Sequence, residues 1–157
     1  MSVKDGNTFA PRISNRRALH EYFIEAKLEC GIVLFGTEVK SLRMGKATLQ
    51  DAFARVEHNE LFLLNCHIDP YEKAAIVYSH EPKRDRKLLV HRRELKRLQG
   101  EMQQPGTTLI PLAIYWKEGR AKVELAVARG KQRFDKRATI KRKEQDRELR
   151  RAMTKRG

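Results

Sequence analysis

The sequence predicts a mainly β fold: a small closed barrel of short antiparallel strands with helices at its ends, followed by a basic C-terminal tail. Three observations point there. Apolar and polar residues alternate over short runs that are broken at regular intervals by turn residues. One stretch, Leu88 to Gln99, carries a clear helical spacing. From Lys131 to Gly157 almost nothing remains from which to build a core.

Residues 1 to 14 are polar, with Gly6, Asn7, Pro11 and Ser14, and read as a disordered arm, with structure beginning near Ala18. Tyr22 to Leu28 is a strand with Tyr22, Ile24, Ala26 and Leu28 on one face. Glu29 to Gly36 is an apolar run punctuated by glycines. Leu28, Ile32 and Phe35 there share a helical face, and period does not separate helix from strand. Thr37 to Arg43 alternates strictly and predicts a half-buried strand, with Val39 and then Ser41 on the inward side, or Leu42 if a bulge intervenes, ended by Gly45. Asp51 to Glu57 and Leu61 to Ile68 predict a hairpin about His58-Asn59-Glu60, and Tyr71 to Tyr78 a further extended piece. Glu81 to Lys87 is a charged loop without core potential. A helix follows, opened by His91-Arg92-Arg93-Glu94 and terminated by Gly100. After the Pro105-Gly106 turn, Thr107 to Lys117 and Ala121 to Arg129 are two long alternating strands joined at Glu118-Gly119. Tyr115 and Trp116 must then point to opposite faces.

Charge is concentrated at the end of the chain. Lysine and arginine number 34 against 20 acidic residues, a net of +14. Twelve of the cations and four of the acids, a net of +8, lie from Lys131 onward. Such a segment stays open alone and orders on a polyanion, of which nucleic acid is the first candidate for a basic chain. A membrane surface is disfavoured, because Leu149, Ala152 and Met153 make a meagre apolar face. Met1 to Arg17 has no signal-peptide core, and no apolar run approaches the roughly 20 residues that span a bilayer, so a soluble, cytoplasmic protein is expected. Cys30 and Cys66 lack disulfide-framework or metal-site spacing and read as small reduced apolar residues.

No catalytic constellation stands out. Gly31, Gly36 and Gly45 do not form a phosphate-cradling loop, and His20, His58, His67, His80 and His91 are scattered without ligand spacing. No cofactor, metal site or enzymatic activity is therefore expected. The binding features are stronger. Lys83, Arg84, Arg86 and Lys87 with Arg92, Arg93, Lys96 and Arg97 form either one basic surface or a loop beside a solvated helix face. In the tail, Phe134 sits among Lys131, Arg133, Lys136 and Arg137 and has a ring face suited to a base. Beyond it, Ile140 to Met153 carries i,i+4 pairs such as Asp146 with Arg150, which predict coil when free and helix when docked.

Five motifs in order resemble bacterial small protein B: Asn15-Arg16-Arg17-Ala18-Leu19-His20-Glu21-Tyr22-Phe23-Ile24, Gly36-Thr37-Glu38-Val39-Lys40-Ser41-Leu42-Arg43, Arg86-Lys87-Leu88-Leu89, Tyr115-Trp116-Lys117, and Gly130-Lys131 with Asp135-Lys136-Arg137. The resemblance runs from Asn15 to the C-terminus. It implies an oligonucleotide-binding-like barrel over 15–130 with about three flanking helices. It implies binding of transfer-messenger RNA (SsrA RNA) and its delivery, alanyl-charged and with elongation factor Tu, to stalled ribosomes. RNA contacts implied are Asn15, His20, Glu29, Val90 and Lys122, with Arg16 in the same motif as Asn15. Gly130, Lys131, Arg133, Phe134, Asp135, Lys136 and Arg137, then Lys141, Arg142 and Lys143, are implied to engage the decoding centre and the empty messenger channel. Two positions depart: Phe134 stands where relatives resemble His or Tyr, and Val90 where Leu is common. Two rival readings remain in view, a ribosomal protein with a basic extension and an RNA-modifying enzyme, although no acid–base pair supports the latter.

Overall fold

The computed structural model describes residues 11–73 and 79–131, and Arg147 beyond them. The described residues form nine strands and three helices: β1 (Ile13–Ser14), α1 (Arg16–Glu21), β2 (Tyr22–Ile32), α2 (Gly36–Arg43), β3 (Ala47–Thr48), β4 (Phe53–Glu57), β5 (Glu60–Leu64), β6 (His67–Ile68), β7 (Arg86–Leu89), α3 (Arg92–Met102), β8 (Thr107–Lys117) and β9 (Arg120–Gly130). The antiparallel pairings run β8–β4–β5–β7–β2–β9 and return from β9 to β8, while β1 adds to β8 and β3 pairs with β6 separately. The protein is mainly β, as expected.

Two of the hairpin turns obey the handedness of twisted strands. His58 and Asn59, joining β4 to β5, and Glu118 and Gly119, joining β8 to β9, all have positive φ. That is the two-residue turn whose twist matches its flanking strands. Only Gly119 adopts it without steric cost.

Two β-bulges decide which side chains face inward. β2 shifts register between Ile24 and Ala26. The single apolar face expected over Tyr22, Ile24, Ala26 and Leu28 is therefore split. Tyr22 and Ile24 join a small cluster with Ala18, Ile110, Leu112, Ala126 and Ala128, while Ala26 and Leu28 pack on the main core. β8 shifts between Pro111 and Ala113, where proline removes a ladder donor. Before the shift Leu109 faces the main core, and after it Ile114 and Trp116 do. The shift thus sends Tyr115 outward, and a one-residue slip in a strand exchanges its faces. The main core is otherwise aliphatic, with Leu42, Leu61, Leu63, Leu88, Val123 and Leu125 fully buried.

Three expectations are corrected and one open reading is resolved. Among the described residues structure begins at Ile13, not Ala18: Ile13 is buried and pairs with Ile114, so Ile13 and Ser14 do not belong to the arm expected over 1–14, and residues 1–10 lie outside the described residues. Glu29 to Ile32 continue β2, so the glycine-punctuated run, open between helix and strand, resolves as strand in its first half, and its last residue, Gly36, opens α2. Thr37 to Arg43 is helix α2, because the buried residues Glu38, Ser41 and Leu42 recur at i, i+3 and i+4, and the Glu38 carboxylate accepts the Phe35 N–H at 2.8 Å at the helix start. Over seven residues the alternating and helical patterns overlap, and burial of Glu38 selects the helix. Finally, Gly100 does not terminate α3, which continues to Met102. Tyr71 to Lys73 form a turn, and the rest of the extended piece expected to Tyr78 lies outside the described residues.

The charged stretch 81–87 is not a surface loop throughout. Arg86 is an inward residue of β7, paired in register with Leu63 and fully buried. Its guanidinium donates to Glu38 Oε2, to the Cys66 carbonyl at 2.6 Å and to the Pro82 carbonyl at 3.1 Å. Arg84 donates to Glu38 Oε1 at 2.6 Å and lies 3.9 Å from the centre of the Phe35 ring. Burial pushes the Glu38 carboxyl up, but the bonds from Arg84, the Phe35 N–H and Arg86 outweigh it, and the group is held below the usual carboxylate range. This cluster ties α2 to β7.

Candidate nucleic-acid interface

A groove of about 620 Å³ lies between the far end of β2, the β8–β9 turn and the start of α3. Ile32, Leu34, Val39, Leu89, Val90 and Trp116 give it an apolar floor. Its rim is charged, with Arg43, Arg120 and Lys122 against Glu29 and Glu94. An apolar cleft with a few polar groups around it suits a ligand with flat apolar faces and hydrogen-bonding edges. Leu89 is half exposed at 51%, although it is a large apolar residue. Backbone approach is close here, since a Cβ on Gly31 would sit 3.2 Å from the Leu89 Cβ.

Individual side chains at this groove are held in place. Arg43, at the end of α2, stacks its guanidinium 4.7 Å from the Trp116 ring centre. Lys122 on β9 lies in register with Gly31 of β2 and Tyr115 of β8. Glu29 accepts a hydrogen bond from the Tyr115 hydroxyl at 2.6 Å and from Lys117 Nζ at 3.4 Å. The Tyr115 bond holds the Glu29 carboxyl below its ordinary range. Burial together with that bond pushes the Tyr115 phenol up to about 12.

A second constellation sits at the opposite end of β2. Tyr22 pairs with Gly130, so the C-terminal segment leaves the sheet beside α1. Lys131 Nζ donates to the Leu19 carbonyl at 3.1 Å and lies 5.3 Å from the Phe23 ring centre. Arg16 and His20 are exposed on α1. Asn15 is buried instead: its carboxamide oxygen accepts the Ala18 N–H at 3.3 Å, and its amide donates to the Leu49 and Pro111 carbonyls at 3.2 and 3.0 Å. That residue caps α1 and ties it to β8 and to the loop after β3. From Tyr22 to Glu29 is seven strand steps, roughly 23 Å at about 3.3 Å per residue.

The structure therefore brings Glu29, Val90 and Lys122 together in the groove, and Asn15, Arg16, His20, Gly130 and Lys131 at the other end of β2. Arg133, Phe134, Asp135, Lys136, Arg137, Lys141, Arg142 and Lys143 lie outside the described residues. The motif Tyr115-Trp116-Lys117 was legible in the sequence, but the stacking of Arg43 on Trp116 was not, because it joins α2 to β8 across the fold, and the bulge at Pro111 sets which way Tyr115 and Trp116 point. The proline within an apolar strand was the available signal. Sequence reasoning also counted Arg86 as a surface cation, whereas that charge is neutralised inside. Both cysteines are buried, which pushes the Cys30 thiol up to about 12 and the Cys66 thiol up to about 11, so they remain protonated apolar groups. No helix among the described residues is long and apolar enough to cross a membrane.

An apolar groove rimmed by cations, on a small sheet that carries a basic C-terminal segment, defines a nucleic-acid-binding β protein. Comparison with known proteins narrows the class. The family model "SmpB protein" matches residues 12–155. The SsrA-binding protein of Caldicellulosiruptor saccharolyticus is 56% identical over 140 residues, covering 89% of this chain and 88% of its own. That of Geobacillus thermodenitrificans is 54% identical over 142 residues, covering 90% and 91%, and that of Thermosynechococcus vestitus is 48% identical over 151 residues, covering 96% and 99%. A solved chain described as "tmRNA-SmpB: a journey to the center of the bacterial ribosome" is 54% identical, covers 78% of this chain and 85% of its own, and superposes with a TM-score of 0.66. The chain belongs to the SmpB protein family.

Proposed function

We propose that this chain is the RNA-binding adaptor of trans-translation: it binds the tRNA-like domain of transfer-messenger RNA and delivers that RNA to stalled ribosomes. The observation that carries this is the likeness to SsrA-binding proteins, 48% identical over 96% of the chain in one relative and 56% over 89% in another. The physical chemistry agrees. A folded RNA is recognised by shape and by unstacked bases on apolar surfaces, and the groove offers such a surface between Arg43, Arg120 and Lys122.

Within that reading, the cyclic strand pairing is a closed barrel of the oligonucleotide-binding kind. The chain divides into an N-terminal arm, an RNA-binding unit ending at Gly130, and a basic tail from Lys131. Glu29, Val90 and Lys122 contact RNA in the groove, and Arg16 and His20 contact it at α1. Asn15 serves the same surface by holding α1 in place. The tail, with Lys131, Arg133, Phe134, Asp135, Lys136, Arg137, Lys141, Arg142 and Lys143, enters the vacant messenger channel from Gly130 onward and becomes helical there. The RNA arrives alanyl-charged with elongation factor Tu, in the cytoplasm, and the chain itself performs no covalent chemistry.

Truncation after Gly130 tests the division. In a gel-shift titration at about 0.2 M salt, where unspecific charge contacts are weakened, affinity for the transcribed tRNA-like domain should stay within about threefold, while tagging on stalled ribosomes should be abolished. Loss of both activities together would refute it. Sequencing the RNA that copurifies with the full chain tests the class of ligand: one dominant small RNA with a tRNA-like fold is expected.

A further inference from the structure

Glu29 is an odd residue for a surface that meets RNA. A carboxylate repels phosphates, and when ionised it can only accept hydrogen bonds. Yet it sits at the rim of the groove in a chain of net charge +14. Its position is not incidental. Tyr115, turned outward by the bulge at Pro111, donates to Oε2 at 2.6 Å, and Lys117 approaches Oε1 at 3.4 Å. Arg12 lies 5.0 Å from the centre of the Tyr115 ring and keeps that ring from swinging away. Each carboxylate oxygen retains a free lone pair for an incoming donor.

Resting on the RNA-binding reading above, we propose that Tyr115 is a positioning residue that fixes the Glu29 carboxylate as an acceptor for the N–H groups of an unstacked base. This corner of the groove then reads a base edge and not a phosphate. The floor supports the choice. Its Ile32, Leu89, Val90 and Trp116 side chains suit the face of a base, as aromatic and aliphatic surfaces do in single-stranded recognition. Two acceptor oxygens side by side match paired donors on one base edge. Arg120 and Arg43, the latter stacked on Trp116, also line the groove and can meet the backbone.

The charges that face Glu29 come from several elements. Tyr115 and Lys117 lie on β8, Lys122 and Glu124, the latter in register with Glu29, on β9, and Lys27 on β2 itself. His91 and Glu94 stand across the groove. Tyr115 is the largest contributor to keeping Glu29 ionised. Removing its hydroxyl raises the Glu29 pKa, so the acid limb of RNA binding moves to higher pH.

The test uses the full chain and the transcribed tRNA-like domain, with affinity measured from about pH 7 down to about pH 4, the range in which a carboxylate titrates. Y115F keeps the ring and should bind about fivefold more weakly at neutral pH, less than the loss of a direct hydrogen bond to a charged group, because it loosens the Glu29 carboxylate without removing it, with its acid limb shifted upward. E29Q should bind more weakly still and lack that limb. The double variant should be no weaker than E29Q. His91 is common to every variant, so differences between the profiles isolate Glu29. Tighter binding by E29Q would place a phosphate there and overturn the proposal. Additive losses in the double variant, or an unmoved limb in Y115F, would overturn the role of Tyr115. RNA with 2′-deoxy loop nucleotides should keep the full Glu29 dependence, and its loss would move the donor to the ribose. Failure of the wild-type chain to bind this RNA at all would refute the RNA-binding reading itself, a distinct result.

Discussion

Glu29 and Glu38 lie nine positions apart, and each is held by a cation and a hydrogen-bond donor, yet they do opposite work. The Glu38 side chain is 0% exposed, enclosed by Arg84, Arg86 and the Phe35 N–H. The Glu29 side chain is 38% exposed and meets Tyr115 and Lys117 at a groove rim. In the first case three donors converge on the carboxylate from within the chain and water is shut out, so the charge serves the fold. In the second, lone pairs remain and solvent competes for them, so the charge serves a ligand. A count of charged residues cannot separate the two. What separates them is the number of donors that converge and the access of water.

The comparison breaks first at Glu38. E38Q leaves the buried Arg86 guanidinium without a counter-charge, which costs about 3–5 kcal/mol. Urea unfolding followed by circular dichroism should register that loss or find the variant unfolded. A change under ~1 kcal/mol would mean that Arg86 is satisfied by the Cys66 and Pro82 carbonyls without Glu38. A smaller effect is expected at Asn15, whose carboxamide caps α1 and binds two carbonyls. N15A should cost about 2–3 kcal/mol by the same measurement. If RNA affinity falls in N15A only in proportion to the unfolded fraction, Asn15 acts on RNA by placing α1.

Acid should act on Glu38 as well. Its pKa in the folded chain is depressed below the unfolded value. The stability this provides is present in full above the ordinary glutamate range, near about 4.3, and is lost as pH falls through the lower folded value. The urea midpoint of the wild-type chain should therefore drop below about pH 4. Any E38Q that remains folded should show less of that drop.

How far the sequence reveals this architecture depends on the range of the forces involved. Local signals were legible. The β8–β9 hairpin with Glu118-Gly119 at its turn and the opening of α3 near His91 stand where they were expected. So do the opposite directions of Tyr115 and Trp116. What failed was decided by distant partners. α2 looked like a strand because its helical face includes a glutamate, and a glutamate enters a core only if arginines far along the chain meet it there. Arg86 looked like surface charge for the same reason in reverse. The groove was half legible: the resemblance named Glu29, Val90 and Lys122, but the bulge that turns Tyr115 toward Glu29 is a tertiary feature with only Pro111 to betray it.

The smallest expected effect on stability lies on α3, where the comparison can be sharpened. Arg92, Arg93 and Lys96 are exposed, and unlike Arg97, which is 3.3 Å from Glu101, they have no ion-pair partner among the described residues. Replacing all three with alanine should change unfolding free energy by no more than about 0.5 kcal/mol, as exposed charges usually do. Their free charge is available to phosphates, and His91 and Glu94 place the start of this helix at the groove. For every phosphate that the triple variant no longer neutralises, the slope of log affinity against log salt should fall by about 0.7 to 0.9. A shallower slope with unchanged stability would set these cations beside Glu29, as charge spent on a ligand. An unchanged slope would leave them as a solvated helix face, and would confine recognition to the groove and to α1.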